Sequence, residues 1–174
     1  MLLALVTAHR AQTFSLIELP NIDILDNKVE IRITKLIKTS APGRPQPLLV
    51  LPFFREHPML CAAKTLIIYL RQTEPLRGDI KSLFISFQRP HRAVGSETIS
   101  RWIKCVSKSG IDVNQFSGHS SRHAATSKAF KKGVPLEIIR NTAGWTKSSE
   151  VFAKFYNKQI IESEHTFASA VLNL

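Results

Sequence analysis

The sequence has little cysteine, and the two cysteines it has form no recognisable pattern. Cys61 and Cys105 are the only ones among 174 residues, and no CxxC motif is present. We therefore expect neither a disulfide framework nor a cysteine-ligated zinc site. A reducing intracellular environment fits this composition best.

The chain also lacks a long apolar run, an internal repeat and a low-complexity segment. Its opening "MLLALVTAHR" is apolar but too short to span a bilayer. It has neither the basic start nor the cleavage site of a secretory signal. We expect no membrane partner and interpret this stretch as a core helix. Its abrupt start predicts that the sequence is a fragment, truncated at its N-terminus and without a core-binding domain.

Acidic residues are scarce relative to basic ones. The 24 Lys and Arg outnumber the 13 Asp and Glu, for a formal net charge of +11. Residues 31–55 contain five bases and no acid, and residues 97–158 contain eleven bases and four acids. No long Lys/Arg run is present, which indicates a folded basic face rather than a basic tail. This excess of positive charge predicts a polyanionic partner, nucleic acid before membrane.

Hydrophobic periodicity predicts an α+β fold that is mainly helical. Near-helical spacing of leucines predicts a helix over 2–18, either straight or kinked, with Arg10 inside it. Alternation of apolar residues around the turn "LDNK" predicts a hairpin, and "LLVLP" after a Pro/Gly loop predicts a third strand. We therefore expect one domain over residues 1–174, with a small antiparallel three-stranded sheet near the N-terminus.

Helices are expected over most of the remaining chain. One is predicted at 59–72 and another at 96–110, and "HSSRHAATSKAF" begins a third that Gly133 ends. A shorter helix follows in "PLEIIRNTAGW", with a proline in its first turn. Two further helices are expected after residue 147, the last one amphipathic.

His119 and His123 are spaced to share one helix face, which raises the question of a metal site. The HExxH motif needs a glutamate after the first histidine, and Ser120 occupies that position. The segment "AGWTKSS" likewise lacks the spacing of a phosphate-binding loop. We expect no metal, no nucleotide and no other cofactor.

A phosphate site made of side chains is the remaining chemical interpretation. His119 and Arg122 are three residues apart, so they could meet one anionic group from a single helical turn. Arg10 in an apolar helix would be costly without an anionic partner. Other candidates are Lys38 at the edge of the hairpin, Trp145, and Tyr156 eleven residues later.

The order Arg, Lys, His-x-x-Arg, Trp, Tyr resembles that of the tyrosine recombinases, or phage-type integrases. The matching segments are "TAHR", "KTS…PLLVLP", "HSSRHAATSKAF", "AGW" and "FAKFYNK". The resemblance covers about residues 2–160, and its second half is most similar to recombinases of eukaryotic mobile elements. Two positions depart from the pattern: Thr13 stands where many members have an acid, and the Trp-to-Tyr spacing is slightly long.

The resemblance implies a DNA strand-transfer enzyme without a metal or a cofactor. Tyr156 would attack a scissile phosphate and form a 3′-phosphotyrosine. Lys38 would protonate the leaving 5′ oxygen, although Lys35 competes with it for this role. The other implied roles are phosphate clamping by Arg10 and Arg122, proton acceptance or hydrogen bonding by His119, and indole N–H donation by Trp145.

The resemblance further implies partners and a location. The partners are double-stranded DNA and other copies of the chain, as a tetramer on two duplexes; the location is the nucleus. His123 is expected to pack beside the site. Residues 158–174 could dock on a neighbouring copy or on their own domain. The basic residues expected to contact DNA are Lys35, Arg44, Arg101, Lys128, Lys147 and Lys154.

A second functional hypothesis belongs to a different class. The chain could be a catalytically silent DNA-binding module, derived from a mobile-element recombinase and using the same basic face. Trapping of a covalent adduct on Tyr156 discriminates between the two hypotheses. Steep salt dependence of DNA binding is expected for both.

Overall fold

The computed structural model describes residues 1–107 and 119–146, which form six α-helices and one three-stranded sheet. The helices are α1 Leu2–Thr7, α2 Ala11–Ser15, α3 Ala62–Arg77, α4 Ser96–Ser107, α5 Ser120–Lys131 and α6 Leu136–Thr142. The strands are β1 Ile22–Ile24, β2 Lys28–Arg32 and β3 Leu48–Pro52. The predicted fold class, mainly helical with a small sheet near the N-terminus, is confirmed.

The sheet is antiparallel throughout, in the order β1-β2-β3. Ile31 pairs with Ile22 on one side and with Leu49 on the other. Val29 and Ile31 on β2 and Leu51 on β3 are fully buried, as the alternating pattern predicts for a sheet with one face on the core. The hairpin and the third strand are therefore confirmed.

The prediction of one helix over residues 2–18 is wrong, because the structure has two short helices there, α1 and α2, with a break between them. Ala8 has a left-handed conformation, with φ of 52°, which ends α1. Arg10 is extended and is the N-cap of α2, so it does not lie within a helix. Periodicity could not reveal this break, since the apolar residues keep a helical spacing across it.

The helix predicted at 59–72 is displaced toward the C-terminus. Residues Pro58–Leu60 form a 3₁₀ turn, and α3 continues through Pro75 to Arg77. The buried Arg77 then donates hydrogen bonds of 2.7 Å each to the carbonyls of Ser82 and Leu83. These bonds fix the segment that leads to α4. The predicted end of α4 at Gly110 and the two C-terminal helices lie outside the described residues.

Two hydrophobic clusters meet at the break between α1 and α2. The larger one joins the sheet to α1, α3 and α4. The smaller one is formed by Ala8, Ile139, Ala143 and Trp145, with side chains of α5 packed against it. The end of α1 thus lies against α5 and α6, and this contact brings the candidate site residues of these helices together.

The described ranges contain no helix long and apolar enough to cross a membrane. Within residues 1–107 and 119–146 there is also no group of three or more His, Cys, Asp or Glu side chains that could hold a metal ion.

Candidate active site

The break between α1 and α2 turns a backbone carbonyl toward α5. A left-handed conformation costs an L-residue roughly 1–2 kcal/mol, so tertiary contacts must hold Ala8 in place. One such contact is a hydrogen bond from Nη1 of Arg122 to the Ala8 carbonyl. The same turn places Arg10, which is half-buried, at the start of α2. Two of the predicted site arginines therefore approach the same stretch of backbone.

Arg122, in the first turn of α5, is only 2% exposed. Its guanidinium carbon lies 4.5 Å from the centre of the Trp145 ring, in a cation–π contact. The Ala8 carbonyl and the indole face together offset part of the cost of burying this charge. Sequence reasoning paired Arg122 with His119, and it did not foresee the contact with Trp145.

Trp145 owes its position to the C-terminal cap of α6. Gly144 has a φ of 65°. Its N–H donates to the backbone carbonyl of Asn141 at 3.1 Å, and the N–H of Trp145 donates to the backbone carbonyl of Arg140 at 2.8 Å. This pair of bonds is a Schellman motif, which favours glycine at the left-handed position. The cap directs Trp145 into the smaller cluster, where it is 7% exposed. Donation of its indole N–H to a phosphate stays a prediction.

His9 is the residue of this site that sequence reasoning missed. It is 6% exposed, and its pKa is lowered to about 4 by burial first and then by the charges of Arg122 and Arg10. A backbone hydrogen bond with Thr142 acts in the opposite direction. A Cβ added to Gly144 would lie 3.0 Å from Cε1 of His9, so the two residues are in close contact. The only signal in the sequence is its place directly before Arg10.

His9 gives the fold a predictable dependence on pH. The neutral ring is favoured in the folded state, whereas an unfolded histidine titrates near 6.5. His9 therefore makes its full contribution to the free energy of unfolding above pH 6.5. This contribution decreases as the pH falls toward 4, by about 3 kcal/mol in total. Urea unfolding across this range should show the loss in the wild type and a flatter profile in His9→Gln. If the stability of the two proteins changed with pH in the same way, His9 would not be the source of the loss.

Lys38 lies at a corner of a β-turn in the connection between β2 and β3. The N–H of Ser40 donates to the Ile37 carbonyl at 2.9 Å, and the Ile37 N–H donates to Oγ of Ser40 at 2.9 Å. Nε2 of Gln46 donates to the same hydroxyl at 2.9 Å. The turn is therefore fixed by its own hydrogen bonds, with the Lys38 side chain exposed.

Arg44 joins the Lys38 turn to the cap of α6. Its Nη1 donates to the Thr39 carbonyl at 3.1 Å, and its Nη2 donates to the Gly144 carbonyl at 3.2 Å. A cleft of about 390 Å³ lies between the turn and the end of α6. Its lining includes Thr39, Ser40, Arg44, Asn141, Gly144 and Trp145, and none of its described lining residues is acidic.

The other predicted residues lie on α4, at the start of α5 or within it, after β2, or outside the described residues. His119 is the exposed N-cap of α5, and His123 is half-buried, with Nδ1 3.4 Å from Oγ of Ser127. Lys35 forms an ion pair of 2.7 Å with Glu18. Arg101 on α4 and Lys128 on α5 are exposed, so DNA contact by either stays a prediction. Tyr156, Lys147 and Lys154 lie outside the described residues.

A family described as the phage integrase family matches residues 1–160. The chain belongs to this family. A search of curated sequences found no match.

Solved structures similar to this phage integrase family member are recombinases. XerA recombinase aligns with a TM-score of 0.63 at 19% identity, over 97% of this chain and 54% of XerA. XerH bound to its difH substrate gives a TM-score of 0.64 at 15% identity, over 99% and 44% of the two chains. A lambda integrase tetramer bound to a Holliday junction gives a TM-score of 0.53 at 18% identity, over 94% of this chain and 43% of the integrase. The chain thus spans about half the length of these proteins, and the likeness establishes a shared fold.

Proposed function

We propose that this chain is the catalytic domain of a site-specific DNA recombinase, which cuts and rejoins strands through a 3′-phosphotyrosine. One observation carries the proposal. Arg10, Arg122 and Trp145 converge around the break at Ala8, and Arg44 ties the Lys38 turn to the residue beside Trp145. These segments are far apart in sequence, and each holds a residue of the pattern that resembles the recombinase active site.

The converging arginines suit a phosphodiester in its transition state. The charges of Arg10 and Arg122 both lower the pKa of His9, so both arginines act on the surroundings of this ring. Guanidinium groups bind phosphate oxygens in a bidentate manner and stabilise the charge that develops on them. A tyrosine of pKa near 10 also becomes a better nucleophile beside such charge. In this proposal Tyr156 attacks the phosphorus, and His119 takes the phenolic proton.

Lys38 is favoured over Lys35 as the general acid. Lys35 is engaged with Glu18 at 2.7 Å, whereas in the described part of the chain Lys38 forms no ion pair. Lys38 also lies in the turn that Arg44 attaches to the α6 cap. When the P–O5′ bond breaks, the 5′ oxygen takes a proton from Nζ of Lys38 and leaves as a hydroxyl.

Lys38→Ala should slow strand cleavage by about 10²–10⁴-fold, the usual contribution of a general acid. A substrate with sulfur in place of the bridging 5′ oxygen should restore most of the rate. Its thiolate is a weak base that leaves without a proton, since thiols have pKa values near 8.5. Single-turnover cleavage of the two substrates gives the measurement. Lys35→Ala is the matched control, and a larger loss in that variant would reverse the assignment.

The proposed function is tested by trapping its intermediate. A nicked duplex that loses a short strand after cleavage should accumulate a covalent DNA adduct, and mass spectrometry should place it on the peptide containing Tyr156. Tight binding without an adduct would favour a silent DNA-binding module. XerH in complex with difH and the lambda integrase tetramer on a Holliday junction support DNA and further copies of the chain as partners.

A further inference from the structure

Arg44 uses its guanidinium within the protein, although its charge alone suggests a DNA contact. We propose that Arg44 is a positioning residue, which holds the Lys38 turn against the α6 cap so that Lys38 reaches the leaving oxygen. The inference rests on the proposed function, and it assigns Arg44 a role other than DNA contact.

The two carbonyls that Arg44 contacts belong to the neighbours of two site residues. Thr39 follows Lys38, and Gly144 precedes Trp145. The hydrogen bonds are 3.1 Å and 3.2 Å long, and the second joins residues 100 positions apart. Arg44 is half-buried, which limits its reach toward an outside partner. The Arg44 side chain therefore connects two parts of the site. One is the loop that contains Lys38, and the other is the α6 cap, which places the Trp145 ring against Arg122.

The turn would move as a unit if this connection were lost. Its internal bonds, between Ile37, Ser40 and Gln46, do not involve Arg44. The shape of the turn should therefore persist in an Arg44 variant, while its distance from Gly144 would change. The other end of the connection is itself fixed, because Gly144 packs on His9 and caps α6.

The guanidinium of Arg44 makes its two contacts from two different nitrogens, Nη1 and Nη2. Its planar fork presents separate N–H groups in fixed directions, whereas the ammonium of a lysine is a single point of charge. Arg44→Lys consequently keeps the positive charge but loses the bridge. A DNA contact that depends on charge would survive this change, and a geometric bridge would not.

Loss of the bridge should appear as a failure of general acid catalysis. The acid must lie within hydrogen-bond distance of the oxygen it protonates. Displacement of a reacting group by about 1 Å can cost on the order of 10²-fold in rate. We therefore expect Arg44→Lys and Arg44→Gln each to slow cleavage of the ordinary substrate by about 10–100-fold.

The experiment compares two leaving groups. With the ordinary duplex, the P–O5′ bond breaks and Lys38 supplies the proton to the oxygen. With a bridging 5′ sulfur, the P–S bond breaks and the thiolate leaves without a proton. Both Arg44 variants should cleave the sulfur substrate at nearly the wild-type rate. Arg71→Gln removes an exposed arginine of α3 outside the site, and it should cleave both substrates like the wild type.

Other results would contradict either the positioning role of Arg44 or the proposed function itself. An equal loss on both substrates, or a loss in Arg44→Gln that Arg44→Lys does not share, would overturn the positioning role. An unchanged rate on the ordinary duplex would do the same. In each of these cases a wild-type adduct leaves the proposed function intact. A wild-type chain that forms no adduct with either substrate contradicts the proposed function, and the role of Arg44 is then rejected with it.

Discussion

Tyr156→Phe is expected to eliminate the covalent DNA adduct while leaving DNA affinity nearly unchanged. Phenylalanine lacks the Oη atom that would bond to phosphorus, so no 3′-phosphotyrosine can form. Removal of one hydroxyl does not alter the basic surface, which carries the salt-dependent part of DNA binding. Denaturing electrophoresis of an end-labelled nicked duplex measures the adduct, and a binding titration at fixed salt measures the affinity.

The chain offers a matched control for this substitution. It contains two tyrosines, and the other one, Tyr69, belongs to α3. The Tyr69 hydroxyl accepts a hydrogen bond of 3.1 Å from the Ile85 N–H, and its ring lies 5.6 Å from that of Phe84. Tyr69→Phe should therefore cost some stability and retain the adduct. An adduct that persists in Tyr156→Phe would reject Tyr156 as the nucleophile.

Arg122→Lys is expected to impair both folding stability and cleavage. Lysine keeps the charge but loses the stacking on Trp145 and the directed hydrogen bond to the Ala8 carbonyl. With typical values for a charged hydrogen bond and a buried cation–π contact, the free energy of unfolding should fall by about 3 kcal/mol. Loss of a preorganised donor to the phosphate should slow cleavage by a further ~10²–10³-fold.

The two effects of Arg122→Lys can be measured separately. Urea unfolding gives the stability, and single-turnover cleavage is then measured under conditions in which the variant is folded. Arg71→Lys, at an exposed position on α3, should change neither quantity appreciably. A variant that is fully stable would show that the contacts with Ala8 and Trp145 contribute little. Wild-type cleavage by a folded variant would exclude Arg122 from the phosphate clamp.

Much of the local structure follows from the sequence. The alternation of Val29, Ile31 and Ile33 specifies which face of β2 is buried, because successive side chains of a strand point to opposite faces. Gly133 ends α5 and Gly144 ends α6, since both positions require a positive φ that glycine adopts at little cost. The order of the candidate residues along the chain also indicated the recombinase family, because that order does not depend on geometry.

The arrangement of the site depended on contacts between distant segments. Periodicity predicted one helix through Arg10, and the chain instead breaks at Ala8, whose carbonyl bonds to a residue 114 positions away. The burial of His9 likewise depends on α6, and the bridge made by Arg44 depends on the cap of that helix. Local propensity is set by near neighbours, so it could specify the strands and the glycine caps. Only the packing of α1, α5 and α6 decided which charged groups meet, because hydrogen bonds and desolvation act between groups that folding brings together.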